Sequence, residues 1–333
     1  MLDIGLSVWV ATTAFVVVLF GLDLVVSQRR PHAVGFREAT IWSVFYITVA
    51  IAFGIWMWSR YGAEFGQQYF AGYIVEKSLS VDNLFVFVII MSVFAVPAEL
   101  QHRVLTFGIA LALVLRAIFI AIGAALLSLF SFMFLVFGLV LIWTAIKLFQ
   151  HRNEDPDVKD NGLVRLTRRV VPVGTRFEGT RLLTRIDGRR AVTPLFIVLV
   201  AIGGTDILFA LDSIPAVFGV TEEAYIVFTA NAFALLGLRA LFFLVQGLLD
   251  RLVYLSTGLS IILALIGVKL CLHFFHKVEP SVPEIPTTVS LGVIVLILAI
   301  TTVASLLKVR RDPTARAHAG ALRTHTDEET AAG

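Results

Sequence analysis

This 333-residue chain is short of charge and has a single cysteine. Only 15% of its residues are Asp, Glu, Lys or Arg, where a water-soluble protein carries about a quarter. Hydrophobic residues make up 58%, and the mean hydropathy is +0.89. A soluble globule is excluded, and the fold class is all-α: a polytopic membrane helix bundle. The lone cysteine, Cys271, excludes internal disulfides and any multi-cysteine metal site. In its apolar surroundings it reads as a packing residue. The N-terminus lacks the basic n-region of a signal peptide, and the apolar run from Ile4 to Val26 is too long for an h-region, so it reads as a retained first helix. No Gly-x-Ser-x-Gly elbow, no His-Glu-x-x-His and no ATP-binding loop occurs. An enzyme is therefore not expected, and any transport must be secondary. Neither an organic cofactor nor a nucleic-acid partner is expected.

What the chain does have is apolar runs of bilayer length, which take roughly twenty residues as a helix. Nine can be marked, at about 4–26, 39–59, 72–96, 103–126, 129–150, 193–219, 223–249, 253–275 and 287–307. Basic residues orient them. Arg29, Arg30, Arg37, Arg103, the arginines of the 151–192 loop, Arg251 and the Lys308–Arg323 tail all fall on one side. The other side has Arg60, Lys77 and Lys277. The expected topology is N-terminus outside and C-terminus in the cytoplasm. The 151–192 loop mixes charge with Pro156, Pro172 and glycines. It is either disordered, or laid on an anionic leaflet through its arginines, or a docking site for a soluble partner. The tail 309–333 reads as disordered.

Within this apolar chain, two stretches carry acids. Glu76 and Asp82 lie six residues apart and are followed by Asn83; Asp206 and Asp212 lie six apart and are followed by Ser213. An intramembrane carboxylate costs several kcal/mol and marks a functional site by default. Each acidic helix is followed by a helix with an arginine inside its span, Arg116 or Arg239, and then by one with a lysine, Lys147 or Lys269. Three spans per unit is an odd number, so the second unit enters the membrane inverted. Such 3+3 inverted repeats are a signature of secondary transporters, with sites near the midplane at discontinuous helices. The units are read as 72–150 and 193–275, with two helices in 1–71 before them and a last helix in 276–308.

On an ideal helix, residues six apart point about 120° away from each other. Each pair of acids meets at one site only if its helix breaks; otherwise the two face different parts of the bundle. Gly203, Gly204 and Pro215 flank the second pair, and the transporter reading takes both acidic helices as broken. The oxygen donors Glu76, Asp82, Asn83, Asp206, Asp212 and Ser213, with Ser80, Thr205 and Asn231 nearby, suit a hard cation such as Mg²⁺, Ca²⁺ or Mn²⁺. Arg116 and Arg239 are expected to pair with carboxylates, and such carboxylates can carry protons as well.

The segments Glu76-Lys-Ser-Leu-Ser80-Val-Asp82-Asn83, Asp206-Ile-Leu-Phe-Ala-Leu-Asp212-Ser213-Ile-Pro215 and Thr229-Ala-Asn231-Ala-Phe-Ala-Leu-Leu-Gly237-Leu-Arg239 resemble the signature blocks of the TerC family of integral membrane proteins. The resemblance runs from about residue 40 to 308. It implies a bacterial plasma-membrane protein, tied to tellurium resistance or, in the alkali-induced branch, to Mn²⁺ export, with Mn²⁺ as the substrate ion and the metal on the six oxygen donors named above. Two functions follow as expectations. One is a secondary, proton-coupled exporter of Mn²⁺ or a related divalent cation; the other is a membrane scaffold for metal delivery or a metal-stress complex.

Other polar residues have plainer readings. Lys147 and Lys269 lie near span ends, where snorkelling competes with a role in the pathway. Asp3 and Asp23 are expected to be solvated. His273 and His276 with Cys271 read as interfacial rather than as a metal trap, and Trp56 and Trp58 as part of an interfacial belt.

Overall fold

The computed structural model describes residues 4–29, 36–152, 162–174, 177–179, 181–186, 189–245 and 252–312. The bundle is built from α1 (Leu6–Arg29), α2 (Phe36–Tyr61), α3 (Ala63–Val93), α4 (Ala98–Leu129), α5 (Met133–Gln150), α7 (Pro194–Phe218), α8 (Ala224–Leu235), α9 (Leu238–Val245), α10 (Leu255–Val278) and α11 (Thr287–Arg311). Seven of these are long and apolar enough to cross a membrane, and α8 with α9 passes the same test only as a pair, bent by 41° at its break. α3 is 31 residues long; its charges, not its length, keep it out of that set. It begins nine residues before the apolar run at 72, so the boundary expected at 71 falls inside a helix. Hydropathy misses this first part because Glu64, Gln67 and Gln68 turn into a water-accessible vestibule.

That vestibule, of about 1430 Å³, gathers the start of α3, the end of α4, the starts of α5 and α8, the ends of α7 and α10, and the start of α11. The helices therefore alternate in direction. α3 runs opposite to α7, α4 opposite to α8–α9, and α5 opposite to α10. At the far end an apolar cluster joins Leu84, Phe87 and Ile90 of α3, Leu105 of α4, Val198 and Ile202 of α7 and Phe242 of α9. α5 and α10 cross at backbone contact. A Cβ on Gly138 would lie 2.8 Å from the Gly267 carbonyl, and one on Gly267 2.8 Å from that of Gly138; small residues permit such close approach in membranes. Cys271 packs in the same crossing, its Sγ 2.6 Å from a would-be Gly138 Cβ, as a packing residue should.

The 151–192 loop is not bare coil where it is described. It holds α6 (Gly162–Val170) and a two-stranded antiparallel hairpin, β1 (Leu183–Ile186) with β2 (Arg189–Val192). The hairpin leads into Thr193, whose hydroxyl accepts from Phe196 N at 3.4 Å and donates to Arg181 O at 2.7 Å, with Pro194 in the first helical position. This is the capping arrangement expected of Thr-Pro at a helix start. The tail beyond 312 lies outside the described residues.

Neither acidic helix is broken, which corrects the expectation. α3 runs unbroken through Glu76 and Asp82, and α7 through Asp206 and Asp212. Gly203 serves close packing instead of unwinding: a Cβ there would sit 2.7 Å from Leu111 Cδ2. Pro215 is only three residues from the end of α7, so its missing N–H disturbs the last turn at most. The break lies between α8 and α9, where Gly237 takes φ +73°. A Cβ on Gly237 would also fall 2.6 Å from the Tyr46 ring. Gly237→Ala should therefore cost at least the ~1–2 kcal/mol of a left-handed residue, read as a lower unfolding midpoint in detergent.

Candidate functional site

The acids of the two helices sort into two places. The first centres on Arg116 of α4, which is 1% exposed. Its Nη1 forms an ion pair with Glu76 Oε1 and donates to Asn231 Oδ1 at 3.2 Å, while Nη2 lies 3.7 Å from Asp206 Oδ1. Asn231 Nδ2 donates in turn to Glu76 Oε2 at 3.0 Å, and Ser80 Oγ to Glu76 Oε1 at 3.5 Å. In the amide orientation that satisfies both its ends, Asn83 accepts from Arg116 Nη2 at 2.9 Å and donates to Leu79 O at 3.0 Å. One guanidinium thus holds carboxylates from both acidic helices, with an amide from α3 and another from α8.

The second place is a small cavity of about 40 Å³, lined by Asp82, Asn83, Asp212, Ser213 and Thr144 among Leu79, Leu148, Phe209, Leu259 and Leu263. Thr144 Oγ1 donates to Asp212 Oδ1 at 3.0 Å. Asp82 Oδ1 and Ser213 Oγ are buried without a hydrogen-bond partner in the protein. Buried polar atoms of this kind ask for an explanation, and a carboxylate left so at membrane depth is costly. The cavity has room for one or a few water-sized occupants, since a water needs about 10–15 Å³ by this measure. Two carboxylates, an amide and two hydroxyls can offer such an occupant oxygen only, with neither imidazole nor thiol. Among the described residues no group of three or more His, Cys, Asp or Glu is placed to share one ion, so an ion here would draw on neutral oxygens too. Asn83 belongs to both places, lining the cavity and touching Arg116.

Other sequence-marked residues land elsewhere. Thr205 spends its hydroxyl on Ala201 O of its own helix at 2.8 Å. Arg239 does carry a carboxylate, but not a signature one: its Nη2 lies 2.8 Å from Asp23 Oδ1, which also accepts from Tyr46 at 3.2 Å, and its Nη1 lies 3.2 Å from His102 Nε2. Asp23 is thus 7% exposed and ion-paired rather than solvated. A charge at a span end is drawn inward when a buried arginine waits there. Lys147 is half-buried and makes no ion pair among the described residues. Lys269 is buried beside the vestibule and donates to Thr287 Oγ1 at 3.3 Å. Lys77, expected outside, is inside the bundle and donates to Ala234 O at 3.0 Å, satisfying a carbonyl next to the α8–α9 break. Thr144, absent from the expected site, is an isolated hydroxyl in the run Leu141-Ile-Trp-Thr144-Ala-Ile; that isolation was the available signal.

At the vestibule, His273 sits between Glu222 and Glu284, at 2.7 and 2.5 Å, and Lys277 lies 3.4 Å from Glu222. The His273 hydrogen bond is the main reason the Glu222 carboxyl is held below its ordinary range. His276 turns instead to Val282 O at 2.7 Å, so His273, His276 and Cys271 do not assemble into a metal trap. The vestibule comes close to the cavity. Lys269 of the former and Leu263 of the latter are six residues apart on α10, about 9 Å along the axis.

Relatives match this chain along most of its length. It is 45% identical to an uncharacterized membrane protein of Myxococcus xanthus over 313 residues, 94% of this chain and 96% of that one. It is 42% identical over 285 residues to the chloroplastic thylakoid membrane protein TERC of Arabidopsis thaliana, covering 86% of this chain and 72% of the relative. A Photorhabdus laumondii protein, provisionally named membrane-bound redox modulator Alx, is 37% identical over 303 residues, 88% of this chain and 92% of its own. No solved structure matches. The model of the integral membrane protein TerC family matches residues 61–313, a span that holds all four signature acids, and the chain belongs to that family.

Proposed function

We propose that this protein is a secondary transporter that exports Mn²⁺, or a related hard divalent cation, from the cytoplasm, with protons as the coupling ion. The observation that carries this reading is the cavity in which Asp82 of α3 and Asp212 of α7 converge with Asn83, Ser213 and Thr144. Two carboxylates offset the charge of a divalent ion, and oxygen donors favour the hard cations over Zn or Cu. The opposed directions of α3 and α7, α4 and α8–α9, and α5 and α10 support an inverted repeat, and such repeats place substrate near the midplane. With α3 and the bent α8–α9 pair each taken as a span, the described residues would supply nine. The arginine-rich end would then face the cytoplasm of a bacterial cell and the vestibule the outside, which makes the vestibule the exit. The Glu76–Arg116–Asp206 cluster supplies the coupling groups beside the ion site: a guanidinium that keeps its charge and two carboxylates whose proton affinity depends on how closely it holds them.

The test is cellular manganese in a manganese-sensitive host challenged with MnCl₂, with no protein, wild type, Asp82→Asn or Asp212→Asn at matched expression. Lower manganese with wild type alone is the expected result. Equal manganese in all four strains overturns export in that host and leaves the scaffold reading.

A further inference from the structure

We infer that α6 is an anionic-lipid-binding element, seated at the membrane boundary with one face in the acyl region and another on the headgroups. The helix has three faces. At about 100° per residue, Leu163, Leu166 and Val170 fall within an arc of about 60°, and they are 41%, 56% and 69% exposed. Val164 and Val171 point about 120° away from that arc. Val164 is fully buried in the apolar cluster at the end of α3, α4, α7 and α9, and Val171 packs against the same cluster. Arg165, Arg168 and Arg169 occupy the remaining arc, and all three are exposed.

Packing fixes where these faces sit. Val164 anchors α6 to the ends of four bundle helices, and the Arg168 guanidinium lies 6.0 Å over the ring of Phe94, the residue that ends α3. The helix is thereby held at the depth where the spans leave the membrane. A soluble surface has no use for an apolar stripe there, and acyl chains cover one without a partner protein. Interfacial helices with an apolar stripe and a basic flank bind in this way. The arginines select the lipid, since each basic residue close to an anionic leaflet adds about fivefold to its partition toward the surface. This inference is independent of the ion that the protein carries.

The test uses the full chain on a Cys271→Ser background, with Leu166→Cys or Val170→Cys bearing a nitroxide, in vesicles of phosphatidylcholine alone or with phosphatidylglycerol. Collision with oxygen reports acyl depth, and collision with a water-soluble nickel chelate reports exposure to water. Both labels should favour oxygen in the anionic vesicles, and R165Q/R168Q/R169Q should return them toward nickel, with helix content by circular dichroism unchanged. Labels that favour nickel in anionic vesicles overturn the inference. So do labels shielded from both reagents, which would mean a second copy covers the stripe, and so does a depth indifferent to the arginines.

Discussion

Replacing Arg116 with leucine is expected to destabilise the protein by about 3–5 kcal/mol, the usual cost of removing one partner of a buried ion pair. The reason is what stays behind. Glu76 is fully buried and Asp206 is 2% exposed, and without the guanidinium two carboxylates at membrane depth face each other with only amides and a hydroxyl for company. Lysine is a poor substitute. Its compact ammonium cannot meet Glu76, Asp206, Asn231 and Asn83 together, as the planar fork does, so Arg116→Lys should fall between wild type and leucine. Adding Glu76→Gln to Arg116→Leu should recover part of the loss. The neutral amide can keep its bonds to Asn231 and Ser80 and leaves a single uncompensated acid, Asp206. Unfolding in detergent followed by circular dichroism orders the four proteins. If Arg116→Leu melts like wild type, the cluster is not what holds the acidic helices together.

How much of this was legible in the sequence depends on the range of the interaction. The apolar runs, the two pairs of acids and the buried Arg116 could be read directly, because charge in a low-dielectric stretch is conspicuous. The six-residue spacing also stated the right alternatives, one site on broken helices or two sites on whole ones, but spacing alone could not choose. The structure chooses whole helices: α7 is continuous from Pro194 to Phe218, with Leu111 packed against Gly203 where unwinding was expected. The partner of Arg239 was beyond reach, since Asp23 is 216 residues away and a single acid near a span end looks solvated. The first turns of α3 were missed because a helix lining a vestibule is polar, and hydropathy takes polarity for a loop. The β1–β2 hairpin was missed although its signal was present: Asp187-Gly188 separates the two runs, and a two-residue Asp-Gly link favours a hairpin turn. Lys77 was misplaced for a related reason. A lysine beside a run of small polar residues reads as a span end, whereas here it reaches across to a carbonyl at the break in the neighbouring helix.

Binding to the purified protein should separate the two acidic places. Free Mn²⁺ gives a sharp paramagnetic spectrum that is lost on binding, so titration in detergent reads affinity without transport. Thr144→Val should weaken binding roughly 10–100-fold, as loss of an outer-shell hydrogen bond to a ligand does, because Thr144 fixes Asp212 Oδ1 at 3.0 Å. Asp82→Asn and Asp212→Asn each remove a charge and one of two ligand oxygens, and each should weaken binding at least as much. Glu76→Gln should leave affinity within severalfold of wild type, because Glu76 faces Arg116 and Asn231 and does not line the cavity; under the proposed function its effect should appear in proton coupling instead. Asn83→Ala is the informative intermediate, since that side chain touches both places, and it should impair binding and stability together. If Glu76→Gln abolished binding as completely as Asp82→Asn, the ion would have to reach Glu76 as well as the cavity acids. Arg116 would then have to withdraw as the ion arrives, because a permanent guanidinium and a divalent cation repel each other at such range. That result would turn the arginine from a fixed strut into a moving part of the transport cycle.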